Sequence, residues 1–226
     1  ADGRSNLQEY IDGTDPQTPD APSSPVLQFP GLINPTLSGD QMIDINNDGL
    51  LDSAGPDLVV SLAHIGGSFR PPTNSPIPGV RINADTALLK LDGDAYPDAV
   101  VIDSLTNRVF VFRGIGDGGF APLANYPAIS DPRQIVLCNL NGDSLTDIAL
   151  MAQNGRGADL HINNGDGTLT RLATLTSNAW GTARGMALGD FNNDQRDDVV
   201  VGYAANAVVF LTQPNGTYGL AQPYPV

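Results

Sequence analysis

Four times along this chain, alternating acids and amides run straight into a stretch of aliphatic residues. The most complete copy reads Asp190-Phe191-Asn192-Asn193-Asp194-Gln195-Arg196-Asp197-Asp198 and is followed at once by Val199-Val200-Val201. The other copies begin at Asp44, Lys90 and Asn139, so successive first positions lie 46, 49 and 51 residues apart. A near-constant period of this length marks a repeat architecture, in which one unit cannot bury its apolar face alone and stacks on its neighbours. The rest of the chain keeps to that period.

The pattern itself carries chemistry. Oxygen-bearing side chains stand at the first, third, fifth and ninth positions, and a hard cation such as calcium takes six to eight oxygen ligands from a loop of this kind. The seventh residue contributes its backbone carbonyl, so its side chain is free to vary. In the fourth loop the expected ligands are Asp190, Asn192, Asp194 and Asp198, with the Arg196 carbonyl. The third loop offers Asn139, Asn141, Asp143, the Leu145 carbonyl and Asp147, one carboxylate fewer, and is expected to bind more weakly. The first offers Asp44, Asn46, Asp48 and the Leu50 carbonyl, and either Asp52 or Asp57 closes it. Carboxylates this close repel one another unless a cation sits among them. In the second loop Lys90 replaces the first acid ahead of Asp92, Asp94, the Tyr96 carbonyl and Asp98, and its ammonium can take over the role of the ion. Three calcium ions are expected, with a fourth left open at the Lys90 loop.

Between the loops the pattern is all-β. Ala87 to Leu91, Asp98 to Asp103, Arg108 to Phe112 and a run beginning Phe120 read as four strands, separated by the acidic loop, a turn at Ser104 to Asn107, and the glycine-rich Gly114 to Gly119. Four antiparallel strands on three tight connections outline a propeller blade. The third and fourth units repeat the order, with turns at Asn154-Gly155 and Ala205-Asn206. The aliphatic runs after each loop suit strands buried on both faces. The first unit departs: five extra residues separate Asp52 from Asp57, Phe69 comes early, and a proline-rich Pro71 to Pro78 stretch replaces the hairpin rhythm. Blades are expected at about 38–80, 81–127, 128–177 and 178–226. Val26-Leu27-Gln28-Phe29 is spare strand material that can pair with the last blade and close a four-bladed ring; the alternative is a slice of a larger array.

Residues 1–25 are of a different kind. Asp2-Gly3 followed by Glu9 is similar to the end of a thrombospondin type 3 or dockerin-like calcium loop, and Pro16, Pro19, Pro22 and Pro25 then make a semi-rigid spacer. The resemblance implies a piece of a longer, modular protein; a plain acidic linker is the alternative.

Charge narrows the partners. With 25 acidic against 11 basic residues the formal charge is -14, which sets the chain against nucleic acid and anionic membrane surfaces. No apolar run approaches the ~20 residues needed to span a bilayer. Cys138, the single cysteine, follows an aliphatic run and reads as an inert buried thiol. His64 and His161 have no second histidine at a zinc-like spacing, and Asp117 and Asp166 read as turn formers. Trp180 is either a stacking surface for a sugar ring or a plug in the central channel. There is no Gly-x-Ser-x-Gly elbow, no His-Glu-x-x-His and no phosphate loop, so catalytic residues are not expected.

An Asp-x-Asn-x-Asp-x-x-x-Asp loop before three aliphatics, with a downstream Asn164-Gly165-Asp166-Gly167-Thr168-Leu169 turn, resembles the FG-GAP (VCBS) repeat. The resemblance runs over about residues 26–226. It implies β-propeller blades in which each loop joins the first and second strands and holds calcium as a clip. It further implies a non-enzymatic, secreted or cell-surface interaction module with a protein or glycan partner. An accessory or catalytic domain of an extracellular, lyase-like polysaccharide-degrading enzyme is the competing reading.

Overall fold

The computed structural model describes residues 41–55, 58–74, 85–152, 157–176, 184–213, 217–219 and 222–225. The readings made for residues 1–25, Val26 to Phe29, Asp57, the Asn154-Gly155 turn and Trp180 lie outside them.

Among the described residues, four four-stranded antiparallel sheets follow one another along the chain. The first holds β1 (Gln41–Ile43), β2 (Asp52–Ala54), β3 (Val59–Ser61) and β6 (Thr73–Asn74), with a side hairpin of β4 (Ala63–His64) and β5 (Ser68–Phe69) between its last two strands. The second is β7 (Thr86–Leu89), β8 (Asp98–Asp103), β9 (Arg108–Gly114) and β10 (Phe120–Pro127). The third is β11 (Pro132–Cys138), β12 (Asp147–Ala152), β13 (Gly157–Asn163) and β14 (Leu169–Thr176). The fourth is β15 (Gly185–Gly189), β16 (Asp198–Gly202), β17 (Asn206–Phe210) and β18 (Gln222–Pro225). Each sheet is a propeller-type blade. The inserted hairpin β4–β5 explains the odd rhythm of the first unit: Phe69 belongs to the insertion and is not the counterpart of Phe120.

Each acidic loop joins the first strand of its sheet to the second, and its ninth residue opens the second strand. That strand is then buried on both sides, as β8 is along its whole length. Alternation sends successive side chains to opposite neighbours. Ala99 and Val101 pack with Ile45, Leu58 and Val60 of the first sheet. Val100 and Ile102 pack with Ile135, Ile148 and Leu150 of the third. Ala149 and Leu160 of the third pack with Val199, Val201 and Val208 of the fourth. Three apolar cores therefore join consecutive blades, and among the described residues none joins the fourth to the first.

The second loop position makes the stacking visible. Ile45, Leu91 and Leu140 are each 0% exposed because a following blade covers them, whereas Phe191, at the same place in the fourth loop, is 57% exposed.

Candidate metal centre

The ninth residue of each loop performs the same task four times. One carboxylate oxygen of Asp52, Asp98, Asp147 and Asp198 accepts the backbone amide of the loop's own second residue, Ile45, Leu91, Leu140 or Phe191. The other oxygen accepts an amide at the end of the third strand or just beyond it, from Ala63, Gly114, Asn163 or Thr212. The four side chains are buried, so these bonds tie the loop to a strand two places away in the sheet. Desolvation pushes the carboxyls of Asp98, Asp147 and Asp198 above the ordinary aspartate range; nearby loop carboxylates add to the rise and the accepted amides oppose it. At Gly114 the approach is so close that a Cβ would stand 2.1 Å from the Pro97 carbonyl oxygen, which only glycine avoids.

Asp52 holds the position that Asp98, Asp147 and Asp198 hold in the others.

The first, third and fifth positions gather over one turn. In the first loop Asp44 accepts the amides of Asp48 and Gly49, Asn46 accepts that of Asp48, and Asp48 accepts that of Leu50. The fourth loop repeats this contact for contact: Asp190 takes the amides of Asp194 and Gln195, Asn192 that of Asp194, and Asp194 that of Arg196. Desolvation works against ionisation of Asp190, but the amides it accepts outweigh it and hold the carboxyl below the usual range. Both loops place their fourth and sixth residues in the left-handed region, Asn47 (φ 58°) and Gly49 (φ 86°) against Asn193 (φ 62°) and Gln195 (φ 67°). In the third loop Asn139 accepts the Gly142 amide, Asn141 that of Asp143, and Asp143 that of Leu145.

The donors gathered in these three loops fit a hard cation: two carboxylates and one Asn amide oxygen in the first and fourth, one carboxylate and two Asn amide oxygens in the third, and a seventh-position carbonyl in each, with lone pairs left on each carboxylate after its amide bonds. The structure brings the first, third and fifth residues together and turns the ninth onto the sheet. Among the described residues no three Asp, Glu, His or Cys side chains converge as a ready-made cage.

The second loop differs from what its sequence suggests. Among the described residues Lys90 forms no ion pair with Asp92, Asp94 or Asp98; its side chain is exposed and its carbonyl accepts from Asn163. The cation beside these acids is Arg113, with Nε 3.5 Å from Asp92 Oδ2 and Nη2 3.2 Å from Asp94 Oδ2. Asp92 accepts the Asp94 amide and Asp94 that of Tyr96. Arg113 was legible only by aligning the repeats, where it interrupts a position held by Leu62, Ile162 and Leu211.

The second and third loops are also clasped by the next blade. Gly167 donates to the Leu91 carbonyl, and Asp197 both donates to the Asn139 carbonyl and accepts the Asn139 amide. Elsewhere Asp117 and Asp166 cap their turns through the amides of Gly119 and Thr168. His64 is exposed, and Cys138 is buried, its thiol pushed up by desolvation. His161 is fully buried, with Nε2 3.9 Å from Asp159 Oδ2. Burial opposes ionisation of Asp159, but His161, Arg171 and Thr174 outweigh it and hold its carboxyl below the ordinary value.

The FG-GAP-like repeat family matches residues 90–150 and again 139–201. Among solved structures, the chain is similar to a lectin from Agrocybe aegerita described as recognising non-reducing terminal N-acetylglucosamine, with 24% identity and a TM-score of 0.57 over 81% of this chain and 51% of the lectin. It is also similar to a protein from Lactobacillus plantarum, with 16% identity and a TM-score of 0.51 over 77% of this chain and 54% of that one. This chain therefore spans about half the length of each of these two structures. No curated protein matches it. Repeated loops, four-stranded blades and these likenesses agree: the chain is a propeller-type repeat protein that carries FG-GAP-like repeats between residues 90 and 201.

Proposed function

We propose that the chain is a calcium-stabilised, non-enzymatic recognition module of an extracellular protein, presenting a propeller surface to a glycan or protein partner. The observation that carries the calcium reading is the turn in which the first-, third- and fifth-position side chains all accept backbone amides, built three times, at Asp44-Asn46-Asp48, Asn139-Asn141-Asp143 and Asp190-Asn192-Asp194. Extracellular modules bind calcium at about 10⁻⁴–10⁻³ M, which matches the extracellular concentration. The fold likeness to a fungal lectin supports the choice of a glycan as the first partner class to try.

Each ion that binds only the native state adds about 2.7 kcal/mol when its concentration is 100-fold above Kd. Chelation is therefore expected to lower the melting temperature by several degrees, and calorimetric titration to count three calcium ions. A glycan array that includes N-acetylglucosamine-terminated sugars, run with calcium and with chelator, tests recognition. Calcium-dependent retention is the expected result. An unchanged melt with no bound calcium would overturn the metal reading, and polysaccharide cleavage without stable binding would overturn the non-enzymatic one.

A further inference from the structure

The second loop breaks the pattern of the other three at three places together. Its first residue is Lys90 where Asp44, Asn139 and Asp190 stand, and its third is Asp92 where Asn46, Asn141 and Asn192 stand. The residue next to the strand-end amide donor is Arg113, where the other blades have Leu62, Ile162 and Leu211. Two of these changes, Asp92 and Arg113, meet in space. Arg113 donates through Nε and Nη2 to Asp94 Oδ2 at 3.3 and 3.2 Å, and its Nε lies 3.5 Å from Asp92 Oδ2. One guanidinium thus spans the third- and fifth-position carboxylates. The backbone agrees: residues 90–98 contain no left-handed residue, whereas the first and fourth loops contain two each and the third has Gly142.

We propose that Arg113 is the built-in cation of the second loop, standing where a divalent ion stands in the other three, so that this loop takes no calcium and its blade keeps its shape without it. The inference rests on the calcium reading of loops 44–52, 139–147 and 190–198. A planar guanidinium suits two neighbouring carboxylates because its donors lie in a fixed fork. The extra acid at position 92 restores the charge that Arg113 requires. Lys90 removes the first oxygen donor and adds repulsion to any arriving cation. The blade concerned shares apolar cores with both the first and the third, so a calcium-independent loop sits inside the stack, not at its end.

Three variants test this: Lys90→Asp, Arg113→Leu and the double change. Each is read by equilibrium dialysis with metal analysis and by a thermal melt in chelator. The wild type is expected to bind three calcium ions, Lys90→Asp still three, and the double variant four. Arg113→Leu is expected to lower the melting temperature in chelator by about 1–4 °C, since the guanidinium is 53% exposed and a partly exposed pair of this kind contributes modestly. Four ions in the wild type, a gain from Lys90→Asp alone, or a chelator melt unmoved by Arg113→Leu would each overturn the proposal. If the wild type binds no calcium, the metal reading of the other loops fails, and the chelator melt alone decides whether Arg113 holds its loop. Should the Arg113 variants not fold, the calcium count of Lys90→Asp decides between three and four.

Discussion

Asp147 keeps both carboxylate oxygens on backbone amides, one from Leu140 at 2.8 Å and one from Asn163 at 2.8 Å. Removing a partner that satisfies a buried N–H costs about 1–3 kcal/mol, because the orphaned donor keeps its full desolvation penalty. Asp147→Ala is therefore expected to lower unfolding free energy by about 2–5 kcal/mol. Urea unfolding in the presence of chelator checks it. A residue acting only as a metal ligand would lose its effect once calcium is gone, whereas this one is expected to keep it. The recurrence of an acid at the ninth position was plain in the sequence. That its oxygens serve the sheet was not, because the second amide comes from 16 residues further on and is placed only by strand pairing.

At the level of elements, β13 and β14 are joined by more than their ladder. Asp159 on β13 accepts from Arg171 and from the Thr174 hydroxyl on β14, and Thr174 is its register partner. The Asp159 carboxyl is held below the ordinary value of 3.8, since Arg171, Thr174 and His161 favour the charged form more than burial opposes it. The sign follows by linkage. A depressed native pKa contributes stability above the unfolded value and loses it as pH falls through the native one. The stability gap between wild type and Asp159→Asn is expected to be greatest near neutrality and to close below pH 3.8. Denaturant melts of the two proteins at several pH values measure that gap. The strands themselves were legible: Asp98 to Asp103 was expected as a strand and is β8. The first blade was harder, because an inserted hairpin disguised the spacing between its third and fourth strands.

At the scale of the molecule, stability among the described residues lies in three apolar cores, each built from the facing sides of two successive blades. One repeat position therefore has different energetic weight in different blades. Leu140 is covered by the fourth blade, and Leu140→Ala is expected to cost about 2–5 kcal/mol. Phe191 occupies the same position with more than half of its surface in solvent, and Phe191→Ala is expected to stay within about 0.5 kcal/mol. Thermal or chemical unfolding of the two variants side by side distinguishes them. Equal losses would mean that a further surface covers Phe191 in solution.

The period of the acidic loops, the alternation of the strands and the order of turns are all local, so residues 90–226 declared their repeat, their strand order and their candidate ligands without reference to anything distant. Which cation sits beside Asp92 and Asp94, which amides the ninth aspartates accept, and which aliphatic side chains are covered depend on groups that meet only after the sheets have formed and stacked. Long-range electrostatics and packing decided those, because a one-dimensional pattern can place a side chain on a face but cannot say what faces it.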